Sequence, residues 1–281
     1  MNRTSAIINP FFAARVQRTV QAQWERPYRP IYAKLPAAPR NASPVPHLTS
    51  LYHNSDAGNY GSRAYPGNCG GNLIKDLLQY FRPTLVFDPM AGSGTCRDVC
   101  HDLGIPCLSW DIHDGFDACD PAVFSAEDTF DFIWAHPAYW RQKLYLDDPR
   151  DLSRAPTLGD FLRRYGQFIR NCAKALKPNG KLAILMGDYS DRETGFTPLT
   201  YHTKRLAFDC GLTQSCTDII RFSHGASSSR KVYRSSFIPG LHDVSWYLKR
   251  ANGRMESGHE QDRTIPHDPT QQGVHSQSAG W

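Results

Sequence analysis

The 281-residue chain is long enough for one substantial α/β domain with appendages and falls short of two full domains. Forty per cent hydrophobic residues support a buried core, and a net charge of +5 suits a polyanionic partner without identifying one. There is no run of eighteen apolar residues and no apolar leader stretch, and the eight cysteines include no CxxC pair, so a soluble cytoplasmic protein with reduced thiols is expected.

In chain order, residues 1–50 are rich in Pro and Arg and lack periodicity, which predicts an extended arm. A helix is expected over 72–81 and a strand over 85–88. A helix over 93–103 and strands over 107–111 and 130–136 come next. Leu158, Phe161, Leu162, Tyr165, Phe168, Ile169, Cys172 and Leu176 fall at three- and four-residue steps and predict an amphipathic helix over 158–176. A strand over 182–188, a helix over 202–210, and strands over 216–222 and 244–250 complete a domain spanning 51–250. Residues 251–281, rich in Ser, Gln, His and Asp, read as a disordered tail. Strands alternating with helices predict a doubly wound, mainly parallel sheet. The last two strands have no helix between them and predict a closing antiparallel hairpin. Ligands of such a sheet bind beyond the carboxyl ends of its strands, so the segments after Asp88, Asp111, His136, Asp188 and Phe222 are expected on one face.

The strand ending at Asp88 runs into Pro89-Met90-Ala91-Gly92-Ser93-Gly94-Thr95 and then a helix. The glycines permit a tight turn and close ligand approach, and the helix start offers free N–H groups. Thr95-Cys96 after Gly94 excludes a Walker loop, and GxGxxG is not matched. Asp111 closes the next strand, placed to accept hydrogen bonds from a ribose diol, and Asp117 is placed to reach an adenine amino group. The alternative is an Asp111 that merely caps a turn.

Asp88 to Thr95 resembles the DPFxGSGT motif of amino-group DNA methyltransferases, with Met90 in place of Phe. The segment Gly67-Asn68-Cys69-Gly70-Gly71-Asn72 resembles that family's accessory motif, and Leu176 to Leu182 its LKPGG turn. The resemblance spans about residues 65–250. It implies a class I S-adenosylmethionine-dependent methyltransferase fold with a seven-stranded sheet. It also implies S-adenosylmethionine as cofactor, held by Asn68, Gly70, Asp88, Pro89, Met90, Ala91, Gly92, Gly94, Thr95, Asp111 and Asp117, with no metal.

The fourth strand ends in His136-Pro137-Ala138-Tyr139-Trp140, which resembles the family's catalytic (D/N/S)PP(Y/F/W) loop. An amino nitrogen on an aromatic ring is a poor nucleophile because its lone pair is delocalised. Acceptors prepositioned for its two protons favour a pyramidal nitrogen that can attack a sulfonium methyl. The resemblance assigns His136 and the Pro137 carbonyl as acceptors, Tyr139 as the stacking ring on an extruded base, and Trp140 as its support. His136 and Ala138 depart from the usual residues, although a similar subgroup carries His-Pro-Pro-Tyr. A Pro-Cys nucleophile at Pro106-Cys107 lies at the wrong strand end for carbon-5 chemistry. Cys96 and Cys100, one turn apart and next to His101, read as packing residues rather than as ligands.

Arg141 and Lys143 follow the catalytic loop, and Arg230, Lys231 and Arg234 lie in a small, flexible loop before the last strand; all five are candidates for phosphate contacts. The expected activity is methylation of adenine N6 or cytosine N4 in DNA, as in restriction–modification systems. RNA as substrate, or a binding protein with an impaired catalytic loop, are the alternatives. No segment of target-recognition-domain size is evident, so sequence recognition falls to short loops, the arm or a partner subunit.

Overall fold

The computed structural model describes residues 42–53, 56–222 and 242–250. The predicted tail, most of the arm, and Arg230, Lys231 and Arg234 lie outside the described residues. The last part of the arm lies against the domain: Val45 is buried, and His47 Nε2 sits 2.8 Å from Asp76 Oδ2.

Ten strands and four α-helices are described: β1 (Leu51–Tyr52), α1 (Asn72–Phe81), β2 (Val86–Asp88), α2 (Thr95–Leu103), β3 (Cys107–Ser109), β4 (Phe130–Ala135), α3 (Leu158–Ala175), β5 (Leu176–Met186), β6 (Tyr189–Asp191), β7 (Gly195–Thr197), α4 (Leu199–Asp209), β8 (Leu212–Gln214), β9 (Ile219–Phe222) and β10 (His242–Arg250). The main sheet runs β1-β9-β10-β5-β4-β2-β3, and β8 also pairs with β10. Its pairings are parallel except those made by β10, which is antiparallel to β5, β8 and β9. This is the doubly wound, mainly parallel architecture expected above, closing in its antiparallel hairpin.

The path has seven positions, as expected, but eight strands fill them. Strands β8 and β9 pair with successive stretches of β10, Leu248–Arg250 and His242–Ser245, so they act as two halves of one broken strand. The two-residue β1 occupies the far edge, and the short hairpin β6–β7 stands apart.

The two-residue period of the strands sorts side chains into two cores. Val86, Phe132, Trp134, Ala183 and Leu185 face α1 and α2. Phe87, Ile133, Ala135, Leu182, Ile184 and Met186 face α3 and α4. The α1 stripe of Leu73, Ile74, Leu77 and Leu78 is buried, and α3 starts on Thr157, whose hydroxyl accepts from the Asp160 N–H at 3.1 Å. Among the described residues no helix is long and apolar enough to cross a membrane. None of the eight cysteines is disulfide-bonded.

Candidate functional site

A cavity opens beyond the carboxyl ends of β2, β3 and β4. The glycine loop supplies one wall through Asp88, Pro89, Met90, Ala91, Gly92 and Thr95, while Asp111 and Asp117 come from the segment after β3. His136 and Ala138 come from the end of β4. Three of the five segments expected on one face therefore converge. The segment after Asp188 stands beside them: Asp188 accepts from Thr200 at the start of α4, and Tyr189 packs on Trp140 at 5.1 Å. The segment after Phe222 lies outside the described residues.

The glycine loop is built around Gly92, at φ +46°. Its N–H donates to Asp111 Oδ2 at 2.9 Å, which ties the loop to the next strand end. A Cβ on Gly92 would meet Tyr65 Cε1 at 2.9 Å, because the Tyr65 ring lies against the loop. Asp111 thus has two jobs. Its Oδ1 accepts from the His113 N–H at 3.1 Å, capping the turn, while its carboxylate still borders the cavity.

Asp88 is only 2% exposed, and its Oδ1 accepts from the Met90 N–H at 3.2 Å. Burial pushes its carboxyl well above the usual carboxylate range, against the pull of that hydrogen bond. Among the described residues Asp88 forms no ion pair. A buried acid at the floor of a cavity, with only the weak pull of the Arg97 charge on it, suits a ligand that brings a positive charge.

Three expected cofactor residues, Asn68, Gly70 and Gly94, lie away from the cavity. Asn68 spends its side chain on its own loop, donating to the carbonyls of Tyr60 and Ser62 at 3.0 Å and accepting from the Gly70 N–H at 2.6 Å. Gly70 is packed so closely against residue 57 that an added Cβ would lie 2.3 Å from the Ala57 oxygen. The function of Asn68 and Gly70 is to shape the accessory loop, which presents Tyr65, Pro66, Gly67 and Cys69 instead. Arg221 of β9 anchors this loop through its guanidinium, which donates to the Cys69 carbonyl at 3.2 Å. Gly94 likewise stands behind the cavity wall, as the residue before α2.

The loop after β4 departs from the expected roles in two places. Tyr139 does not border the cavity; its hydroxyl lies 3.0 Å from His136 Nε2, and its ring packs against the core. Trp140 is 2% exposed, adopts φ +48°, and its Nε1–H donates to the Ala155 carbonyl at 3.0 Å. It is therefore a core anchor and not a support for a base. A left-handed, non-glycine residue is held only when its surroundings over-determine it, and here the buried indole does so. Pro137 is buried behind the rim. Arg141 and Lys143 are exposed, and the Arg141 guanidinium lies 4.9 Å from the Trp140 ring centroid.

Several cavity residues escaped the sequence reading. Tyr65 stacks on Tyr145 at 5.7 Å and 17°, linking the accessory loop to the loop after β4. Burial, with Asp111 beside it, raises the Tyr65 phenol, and burial with Asp151 nearby raises Tyr145, so both rings stay uncharged. Asp151 is 4% exposed and accepts from the Leu146 N–H at 2.8 Å and the Ser153 hydroxyl at 2.7 Å, fixing that loop. Arg164 of α3 reaches the Asp117 carboxylate at 3.4 Å and the carbonyl of Pro149 at 3.1 Å. Asp117 itself caps Cys119 at 2.9 Å, so its expected reach toward an adenine competes with two structural partners. The signals for these residues were weak, since isolated tyrosines in Pro- and Gly-containing loops carry no periodicity.

No family model and no curated protein matches the chain. Among solved structures, the chain is similar to a Thermus thermophilus protein provisionally assigned as a DNA modification methylase, determined with S-adenosyl-L-methionine. The identity is 20%, the coverage 53% of this chain and 60% of that one, and the TM-score 0.36. The chain thus spans less than two thirds of that protein's length. It is also similar to an Archaeoglobus fulgidus SAM-dependent methyltransferase, with 15% identity, coverage of 63% and 93%, and a TM-score of 0.40. A third likeness is to the Burkholderia thailandensis 1,6-didemethyltoxoflavin-N1-methyltransferase, with 12% identity, coverage of 89% and 94%, and a TM-score of 0.40.

Proposed function

We propose that the chain is an S-adenosylmethionine-dependent methyltransferase acting on an exocyclic amino group of a nucleic-acid base, adenine N6 or cytosine N4 in DNA. The observation that carries this reading is the convergence of Asp88, the Gly92 loop, Asp111 and His136 on one cavity. The donor set fits the cofactor. Asp88 supplies a buried acid for a cationic group, Asp111 a carboxylate for a ribose diol, and Tyr65, Pro66 and Gly67 a wall for its methionine end. The cofactor contributes an activated methyl group on a sulfonium.

The chain's own residues supply position and polarity. His136 offers an acceptor nitrogen to one amino proton of the target, and the Pro137 carbonyl a second acceptor. Tyr139 orients the imidazole through its hydroxyl, 3.0 Å from Nε2, and so acts as a positioning residue. The buried Trp140 holds the loop that carries them. DNA is the proposed partner, with Arg141 and Lys143 on the exposed rim available for phosphate contacts. A second subunit is a further candidate for sequence recognition.

The test is transfer of labelled methyl to duplex DNA and to total RNA in parallel, followed by nucleoside mass spectrometry. Label in N6-methyladenine or N4-methylcytosine of DNA is the expected result. Label confined to RNA overturns the substrate. The absence of label with cofactor binding intact favours a binding protein, a reading that the withdrawal of Tyr139 from the cavity would then explain.

A further inference from the structure

Behind the glycine loop the fold gathers three thiols that the methyltransferase reading does not use. Cys96 and Cys100 stand one turn apart on α2, and Cys107 opens the neighbouring edge strand β3. Their sulfur atoms all lie within 4.8 Å of one another. His101, which the sequence set beside this pair, is exposed and outside the group. Cys96 and Cys100 have no solvent exposure, whereas Cys107 is partly exposed and provides the way in. Among the described residues no fourth His, Cys, Asp or Glu joins them.

We propose that Cys96, Cys100 and Cys107 form a binding site for a soft, three-coordinate thiophile, with trivalent arsenic as the species that suits it best. A centre about 2.3 Å from each sulfur, the usual metal–thiolate length, sets the sulfurs of the trigonal pyramid that arsenic's lone pair imposes roughly 3.5 Å apart. Sulfurs that already lie within 4.8 Å of one another can close to that spacing by side-chain rotation. Zinc and calcium are poor candidates. Zinc completes a tetrahedron with a fourth ligand, and calcium takes oxygen donors.

Charge selects among the soft ions. A monovalent copper held by three thiolates leaves two negative charges in a core lined by Val86, Val99 and Leu73, which is costly to bury. Arsenous acid avoids this cost. Its three As–O bonds are exchanged for three As–S bonds, and each thiol proton leaves with a hydroxide as water. No electron is transferred, and the product is neutral.

The experiment uses the full reduced chain and sodium arsenite, with zinc and monovalent copper as parallel arms. The expected result is one arsenic per chain by mass spectrometry, three of the eight thiols protected from alkylation, and three sulfur neighbours by X-ray absorption. Cys107→Ser, at the partly exposed position, should weaken uptake by more than the roughly 10–100-fold typical of losing an outer-sphere partner. Cys216→Ser, at an exposed cysteine outside the group, should leave uptake unchanged. Failure of the wild-type chain to take up arsenic overturns the proposal, as do two sulfur neighbours instead of three or uptake indifferent to Cys107→Ser. Tighter retention of zinc than of arsenic overturns the three-coordinate assignment. The sulfur count is made on the wild-type chain, so it stands even if a substituted chain fails to fold.

Discussion

Replacing Gly92 by alanine tests whether the glycine loop is the floor of a ligand cavity or only a turn. The backbone is left-handed there, at φ +46°, and a Cβ would meet Tyr65 Cε1 at 2.9 Å. The left-handed conformation alone costs a non-glycine residue about 1–2 kcal/mol. Carbon atoms settle at about 3.5–4.0 Å, so the ring or the loop must give by roughly 0.6–1.1 Å. That displacement disturbs the Tyr65–Tyr145 stack and narrows the wall where a ligand would lie. Gly115 is the control: its φ is +84°, and nothing lies within 4 Å of the added atom. Both variants should lose roughly 2–8 °C of melting temperature, from about 1–2 kcal/mol in a domain of this size. Only Gly92→Ala should also weaken S-adenosylhomocysteine binding, by about tenfold or more, which is about 1.4 kcal/mol. Calorimetric titration of the two variants decides the matter. Wild-type affinity in Gly92→Ala, or an equal loss in Gly115→Ala, would refute the cavity assignment.

Asp88→Asn should stabilise the apo chain at neutral pH while abolishing cofactor binding. Because the folded pKa is raised, the unfolded acid ionises first, so the native cost grows as pH rises from the ordinary carboxylate value toward the folded one; melting curves against pH should show the advantage of Asn vanish at low pH. Asp111→Ala should weaken cofactor binding by roughly 10–100-fold, since hydrogen bonds to charged groups are worth about 1.5–3 kcal/mol, and equilibrium dialysis measures it. Tyr139→Phe should lower kcat by about 2–10-fold with little change in the KM for cofactor, as one orienting hydrogen bond of about 0.5–1.5 kcal/mol is lost; rates in the methyl-transfer assay check the split. Trp140→Phe strands the Ala155 carbonyl in the core and should cost about 1–3 kcal/mol, measured by urea unfolding.

The sequence disclosed those parts of the molecule in which one local rule acts strongly. Helix α1 begins and ends at the predicted residues, because its apolar stripe is clear and Pro83 follows it. The Phe132/Ile133/Trp134/Ala135 run reads as a strand because it is a short continuous apolar stretch, and all four residues are buried. The missed elements depend on partners far along the chain. The two-residue β1 exists only because β9 pairs with it, and the break between β8 and β9 is visible only against β10. The site divides in the same way. Motif spacing located Asp88, Gly92, Asp111 and His136, whereas Tyr65, Tyr145 and Asp151 reach the cavity through loop conformations set by side-chain hydrogen bonds. The same limit explains Trp140. An aromatic next to a loop that resembles a catalytic motif looks like a base platform until its indole N–H is seen bonded to Ala155.

The distribution of charge bears on how a nucleic acid would present its base. The chain carries a net charge of +5, yet the charged residues bordering the cavity are Asp88, Asp111, Asp117 and Asp151 against Arg150 alone. Asp117 is offset by Arg164, Asp111 lies beside the His113 imidazole, and burial holds the Asp88 carboxyl well above the usual carboxylate range, which leaves Asp151 as the cavity carboxylate with no ion pair among the described residues. A phosphate about 4 Å from one uncompensated carboxylate, at an effective dielectric constant of about 20, is opposed by about 4 kcal/mol. On the proposed function, a polyanion is therefore kept outside, where Arg141 and Lys143 are exposed, while a cationic cofactor is drawn inside. On that reading, the target can cross that boundary only as a group without charge. A base swung out of its stack is such a group, and its phosphates stay outside. The acidic interior and the basic rim are then two halves of one device, and reversing the rim charges should weaken nucleic-acid binding without touching cofactor affinity.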